Sequence, residues 1–232
     1  MLKKYKFKLN GVANMIITID GPAAAGKGTI SSYLSQKYKL AYFDTGMVYR
    51  AVGLQMVLTG TDLQNRETAA EIARNLTFPQ MMELSLHPDF RSDIGGQAAS
   101  VVSAYPDVRS ALLKMQQDFA LNPVFADGSK ASGVVYDGRD TGTVVCPHAD
   151  LKLFVTASTE VRAMRRYKEF LQKGLQTSYD KVLQDMISRD ERDSKRANAP
   201  LKPAEDAVII DTSELNIDEV IAVIIPLVEA KL

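Results

Sequence analysis

Apolar residues return along this chain in two rhythms. Short, nearly continuous apolar runs occupy residues 16–20, 40–43, 133–136, 151–155 and 207–211. Each is rich in Ile, Val, Leu or Phe and most end in Asp or are followed directly by one, which predicts strands buried on both faces. Between them the apolar positions recur every three to four residues. That period predicts helices over 29–38 and 47–58, within 61–75, and over 106–121 and 217–230. Pro106 fits the first turn of its helix, with Val108, Leu112, Met115 and Phe119 on the apolar side. Residues 93–103 are Ala-rich with Gly95-Gly96 early, and predict a close-packed helix or turn. Residues 77–91 carry Pro79 and Pro88 and no clean period, and 122–132 reads as loop. Strands alternating with helices imply an α/β fold, a parallel sheet covered on both faces.

The first strand runs into Gly21-Pro22-Ala23-Ala24-Ala25-Gly26-Lys27-Gly28-Thr29. Strand, Gly-rich loop, Lys and helix is the layout of a phosphate-binding loop. Backbone N–H groups must curl around phosphate oxygens, so side chains there must be small, and here they are Gly, Pro and Ala. The helix N-terminus adds unpaired donors and partial positive charge, and Lys27 brings a point charge to the β- and γ-phosphates. Ser or Thr usually follows the Lys directly. Here Gly28 takes that place and Thr29 comes next, so a Mg²⁺ contact from the hydroxyl is expected to pass through water.

Other segments add candidate chemistry. Asp44-Thr45-Gly46 followed by Tyr49-Arg50 sets a hydroxyl and an Arg about one turn apart. This fits a phosphate pair and equally an N-capped surface helix. Asp137, closing the 133–136 run, stands where a Mg²⁺-organising carboxylate would sit in a parallel sheet. Residues 160–196 are the most charged region and predict two helices joined at Lys173-Gly174. Arg189, Asp193 and Arg196 fall at i, i+4 and i+7, one helical face. Charged helices are usually solvated faces. Beside a phosphate loop, an Arg-rich excursion has another use as a lid that excludes water and neutralises the moving phosphoryl group.

Composition narrows the function classes. Of 232 residues, 28 are basic and 28 acidic, giving zero formal net charge, which disfavours a dedicated nucleic-acid binder. The one Cys, Cys146, can form no internal disulfide, so a reducing, cytoplasmic setting is expected. No apolar run reaches membrane-spanning length. Lys3, Lys4, Lys6 and Lys8 precede no apolar segment of signal-peptide type. Residues 1–14 are expected to be a disordered extension or to lie upstream of a start at Met15. His87 and His148 have no partner at ligand spacing. An Asn-Lys-x-Asp guanine-reading motif is missing, which argues against a GTP switch, and no aromatic–basic platform for single strands is present.

Taken together, Ile17-Thr18-Ile19-Asp20-Gly21-Pro22 with Gly26-Lys27-Gly28-Thr29, Asp44-Thr45-Gly46 with Tyr49-Arg50, Asp137-Gly138-Arg139-Asp140-Thr141-Gly142-Thr143-Val144-Val145, Arg189-Asp190 through Arg196, and Ala199-Pro200-Leu201 resemble the bacterial cytidylate kinases. The resemblance covers Met15 to the C-terminus. It implies a nucleoside monophosphate kinase that moves the γ-phosphoryl group of ATP to CMP or dCMP with Mg²⁺. The alternative is a related kinase for another nucleoside monophosphate or a small metabolite. It also implies a five-stranded parallel sheet in order 2-3-1-4-5, with helices on both faces and a helical lid.

The implied division is a core of 15–45, 133–158 and 204–232, an acceptor-binding region of 46–121 and a lid of 159–198. By resemblance, Gly21, Ala23, Ala24, Ala25, Gly26, Lys27, Gly28, Thr29 and Arg165 belong to ATP. Thr45, Arg50 and Arg139 match acceptor-phosphate positions, and Ser100, Arg109 and Asp140 match cytosine-reading ones. Arg189 and Asp193 match sugar-side contacts, and Arg165 and Arg196 match lid arginines near the phosphates. Lys27, Arg139, Arg189 and Arg196 are the implied catalytic set. Any Mg²⁺ is expected through nucleotide and water, with Thr29 and Asp137 as the nearest candidates. A monomer acting on ATP and CMP or dCMP is expected, without nucleic acid or membrane. The chain departs from the family in a short stretch, 76–91, where longer members carry a strand-rich insert, and in an apparent insertion at 126–132.

Overall fold

The computed structural model describes residues 15–232 and, before them, the antiparallel backbone pairing of Lys8–Leu9 with Val12–Ala13. The expected disordered extension over 1–14 otherwise lies outside the described residues. Strand β1 (Met15–Asp20) is central. It leads through helix α1 (Lys27–Tyr38) to β2 (Ala41–Asp44) at one edge of the sheet. Strands β3 (Gly133–Gly138) and β4 (Leu151–Thr156) flank β1 in parallel, and β5 (Val208–Asp211) pairs in parallel with β4 at the other edge. The order is β2-β3-β1-β4-β5, the 2-3-1-4-5 arrangement that the resemblance implied.

The continuous apolar run of β1 follows from that central position. Ile17 and Ile19 are fully buried and pack with Leu153 and Val155 of β4 and Ile30 and Leu34 of α1. The closing helix, Ile217–Glu229, brings Val220, Ile224 and Val228 to the same cluster. Each such side chain contributes about 1.5–3 kcal/mol. In register, Asp20 stands opposite Gly138 on one side and Phe154 on the other. The ends of β1 and β3, where the phosphate loop and the 137–145 segment begin, are therefore adjacent.

The chain divides into two compact units, Met1–Phe43 with Ala120–Leu232, and Asp44–Phe119. The second unit holds α2 (Gly46–Leu58), α3 (Arg66–Asn75), α4 (Phe78–Leu84), a 3₁₀ turn at Pro88–Arg91, α5 (Asp93–Val102) and α6 (Pro106–Leu121), which runs on just past its end. Small residues let α2 and α5 approach closely: a Cβ on Gly53 would lie 2.8 Å from Ala98 Cβ. The Ala-rich stretch is therefore a helix. The illegible stretch contains α4, whose seven residues are too few to display a period. Its signal lies in the caps, since Thr77 and Gln80 form a capping box and Pro79 sits in the first turn. No strand occurs between Leu76 and Arg91 among the described residues, so no strand-rich insert stands there.

In the first unit, α7 (Thr159–Gln172) and α8 (Tyr179–Lys195) pack through Ala163, Phe170, Val182 and Met186. Residues 122–132 are not featureless: Val124 bridges Lys130 around a turn at Gly128. No helix is long and apolar enough to cross a membrane.

Candidate active site

The loop is built by backbone conformations that side chains would prevent. Gly21 has φ 148, and a Cβ there would overlap the Val155 carbonyl. Gly26, at φ 95, caps a helix that begins at Lys27, two residues earlier than the periodicity suggests. Lys27 is 5% exposed; its Nζ donates to the Pro22 carbonyl at 2.8 Å and lies 3.8 Å from Asp137 Oδ1. Burial pushes its pKa down to about 8, helped by Arg139 and Arg189 and opposed by Asp137 and Asp20. Gly28 and Thr29 are exposed on the first turn. A Cβ on Gly28 would stand 3.5 Å from Asp137 Oδ2, the oxygen to which the Tyr42 hydroxyl donates at 3.4 Å. Asp137 is thus the carboxylate at the loop. Among the described residues no three His, Cys, Asp or Glu side chains cluster as a metal cage.

Asp20 carries a role that its sequence position conceals. Its buried carboxylate accepts from Thr141 N and Oγ1, both at 2.8 Å, and from Gly142 N at 2.7 Å. Burial pushes its pKa up against these hydrogen bonds. The bonds anchor Thr141–Val145, a π-helical turn, beside the phosphate loop. Arg139 and Asp140 are thereby held at the end of β3.

Three guanidinium groups surround one carboxylate. Asp193, 6% exposed, meets Arg139 Nε at 3.1 Å, Arg196 Nη1 at 3.8 Å and Arg189 Nε at 4.0 Å. Burial alone would raise the Asp193 pKa, but the field of the three arginines outweighs it and holds the carboxyl below its ordinary value. The i, i+4, i+7 spacing places Arg189, Asp193 and Arg196 as anticipated, and β3 delivers Arg139 to them. Arg165 turns to Thr212, donating to its carbonyl at 2.7 Å and its Oγ1 at 3.0 Å. That hydroxyl lies 3.3 Å from the Ala25 carbonyl oxygen, so Arg165 reaches the loop at one remove. Arg162, singled out by no motif, touches the loop directly.

The second unit holds the remaining candidates. Thr45 is buried just before α2, and its side chain makes no capping hydrogen bond. Asp44 Oδ1 instead accepts from Gly46 N at 2.9 Å. Arg50 donates to the Phe90 carbonyl at 2.9 Å, with Gly96 leaving room beside its guanidinium. Arg109 is 8% exposed, donates to the Ser103 carbonyl at 3.1 Å and lies 5.1 Å over the Tyr49 ring, a cation–π contact. Ser100 Oγ is buried and meets no hydrogen-bond partner among the described residues. A buried hydroxyl in that state is costly unless something completes it.

The cytidylate kinase family model matches residues 17–230. A cytidylate kinase of Paramagnetospirillum magneticum is 49% identical over 216 residues, covering 93% of this chain and 98% of that protein. Another, from Rhodopseudomonas palustris, is 47% identical over 93% of this chain and 96% of its own. Among solved structures, an uncharacterized protein from Eubacterium ventriosum superposes with a TM-score of 0.50 at 12% identity, covering 94% of this chain and 99% of that one. That last likeness is one of fold alone. The relatives match a chain whose loop, buried Lys27 and Arg139–Asp193 pair are already explained by packing and charge, and the match runs almost end to end: the chain belongs to the cytidylate kinase family.

Proposed function

We propose that the protein transfers the γ-phosphoryl group of ATP to CMP or dCMP, giving ADP and CDP or dCDP. The observation that carries this reading is the buried Lys27 at a loop shaped for phosphate, with Arg139 and Arg189 both held on Asp193. Phosphoryl transfer asks mainly for positioning and charge neutralisation. The loop amides and Lys27 would hold the β- and γ-phosphates of ATP. An oxygen of the CMP phosphate attacks the γ-phosphorus in line while the bond to the bridging oxygen breaks and ADP leaves. Arg139, Arg189 and Arg196 would balance the charge spread over the transferring group. No side chain is modified and no strong base is needed, because the acceptor phosphate is already anionic.

Mg²⁺ fits as an ion that arrives with the nucleotide. Asp137, which stands at the loop beside Gly28, would hold its water shell, with the exposed Thr29 as the other candidate, since the described residues offer no all-protein cage. When bound, the ion neutralises charge between the β- and γ-phosphates. Thr45, Arg50 and Arg139 would hold the acceptor phosphate, and Arg189 and Asp193 the sugar side. Cytosine offers an amino donor and an unprotonated ring nitrogen. Asp140 would accept from the first and Arg109 donate to the second, while Ser100 Oγ can do either. The helices of 159–198 would act as the lid. A cytoplasmic monomer needs nothing beyond these groups and its two nucleotides.

Initial rates with CMP, dCMP, UMP and AMP at fixed ATP and Mg²⁺ test the substrate reading. Arg109→Met is expected to lower kcat/KM for CMP by roughly 1.5–3 kcal/mol, the worth of a hydrogen bond to a charged group. The loss for UMP should be much smaller, so the ratio between the two narrows. Equal losses for both would make Arg109 a structural residue and withdraw the base-reading assignment.

A pH profile tests Lys27 independently. The charged ammonium is the useful form, and in the free enzyme it is held near 8. kcat/KM for ATP should therefore fall as pH rises through about 8. Bound phosphate stabilises the ammonium, so the limb in kcat should lie at higher pH. Lys27→Arg should remove the limb from both. A wild-type kcat/KM that stays flat across roughly pH 7–10 would contradict this role.

A further inference from the structure

We infer that Arg162 is a positioning residue that fixes the phosphate loop and the lid helix α8 to each other. Its guanidinium is nearly sealed, with 4% of the side chain exposed. A guanidinium has five N–H donors, and here every one is engaged. Nε donates to the Ala157 carbonyl at 2.9 Å. Nη1 donates to the Ala23 carbonyl at 3.3 Å and to Asp190 Oδ1 at 3.2 Å. Nη2 donates to Asp190 Oδ2 at 2.6 Å and to Thr159 Oγ1 at 2.9 Å. A group so committed has no donor left for a phosphate. Its work must be done through what it holds.

What it holds are the loop and the helix α8. Ala23 lies in the loop, and its carbonyl shares a planar trans peptide with the N–H of Ala24. In such a peptide the C=O and N–H point in opposite directions. Turning the Ala23 carbonyl back onto Arg162 therefore aims the Ala24 N–H away from α7. Ala24 itself is left-handed, at φ 58, a conformation unfavourable for a residue that carries a Cβ. The Arg162 bond on the preceding carbonyl is one constraint that holds it there. A loop with alternating backbone conformation of this kind is an anion-binding nest. At its other edge, Arg162 forks onto Asp190, the residue next to Arg189 on α8. Bidentate geometry fixes direction as well as distance, so the lid helix and the loop share one reference point.

This inference rests on reading residues 21–29 as the donor-phosphate loop, and Lys27→Ala tests that reading separately. Arg162→Lys keeps the charge and loses the fork. It is expected to raise the ATP dissociation constant about tenfold, since misplacing a group by an ångström can cost up to a hundredfold. Asp190→Asn leaves the Ala23 bond in place and weakens only the lid tie. It is expected to lower kcat about tenfold while ATP affinity stays within about twofold. The two changes act through one link, so the double variant should have a kcat no more than about twofold below that of the worse single one. Asp190 is partly exposed, 22% by side chain, so its variant decides the matter even if Arg162→Lys fails to fold. The inference is overturned if Asp190→Asn keeps wild-type kcat, or if kcat per folded molecule is unchanged in both variants while only thermal stability falls. Should those results come with a Lys27→Ala variant that is strongly impaired, the loop reading stands and only the latch is lost. A Lys27→Ala variant that binds and turns over ATP normally would remove the loop reading itself.

Discussion

Lys27→Ala should lower kcat by a factor on the order of 10²–10³ while the folded protein melts within a few degrees of wild type. The rate loss follows from where charge develops. The ammonium sits at the start of α1, where unpaired helix N-terminal donors favour an anion, and it lies 3.8 Å from Asp137. Removing one preorganised contact to the transferring group in a water-poor site costs far more than it would in water. The small stability change follows from the same burial. With a pKa pushed down to about 8, Lys27 binds fewer protons folded than unfolded between about 8 and its ordinary 10.5. Burying the charged form therefore carries a penalty that is fully present at neutral pH and fades as pH rises through that window. Alanine relieves that penalty and loses the bond to the Pro22 carbonyl, two effects of opposite sign. Steady-state rates with CMP and a thermal melt check both halves. A kcat within about threefold of wild type would remove the assignment, because losing a buried, preorganised contact to the transferring group costs far more than that.

The parts of this molecule that the sequence made legible are those whose physics is local. Residues 16–20 read as a buried strand because a central parallel strand needs apolar side chains on both faces. The loop read as a phosphate binder because close backbone approach excludes large side chains at each position from Gly21 to Gly26. Arg189, Asp193 and Arg196 read as one face because helix geometry fixes their spacing. What stayed hidden depends on distant partners. Asp20 closes an apolar strand in the sequence, yet its function is to accept bonds from residues 121 and 122 positions away. Arg162 looked like one charge among many in a solvated helix. Its meaning lies in a carbonyl 139 positions earlier and a carboxylate 28 positions later. The segment 76–91 concealed its helix for another reason, that a seven-residue helix declares itself by its caps rather than by a period. For Thr45 and Arg50 two readings were open. Neither side chain simply decorates a surface helix, since Thr45 is buried and Arg50 is bonded to the Phe90 carbonyl.

Asp193→Asn should be the most damaging conservative change in the helices of residues 159–195. The carboxylate is the common counter-charge of Arg139, Arg189 and Arg196, and it is 8% exposed by side chain. Asparagine keeps the shape and removes the charge, leaving three like charges facing one another. Removing one partner of a buried pair typically costs 3–5 kcal/mol. Arg139 and Arg189 are 20% and 32% exposed, so water offsets part of that, and a loss of about 2–3 kcal/mol is expected at neutral pH. The pH dependence has a definite sign. A carboxyl held below its ordinary 3.8 in the folded state stabilises the fold at pH values above 3.8, and this contribution disappears as pH falls through the depressed folded value. The stability gap between wild type and variant, read by urea denaturation, should therefore be wide at neutral pH and close progressively in acid. Catalysis should suffer with it. Once the arginines no longer share an anchor, the groups meant to neutralise the transferring phosphoryl lose their preorganisation, and kcat/KM for CMP should fall on the order of a hundredfold. If the urea midpoints differ by the same amount at neutral and strongly acid pH, or if the variant turns over CMP at the wild-type rate, the Asp193 charge does not organise these arginines, and their arrangement must rest on the packing of α8 and of the segment after β3.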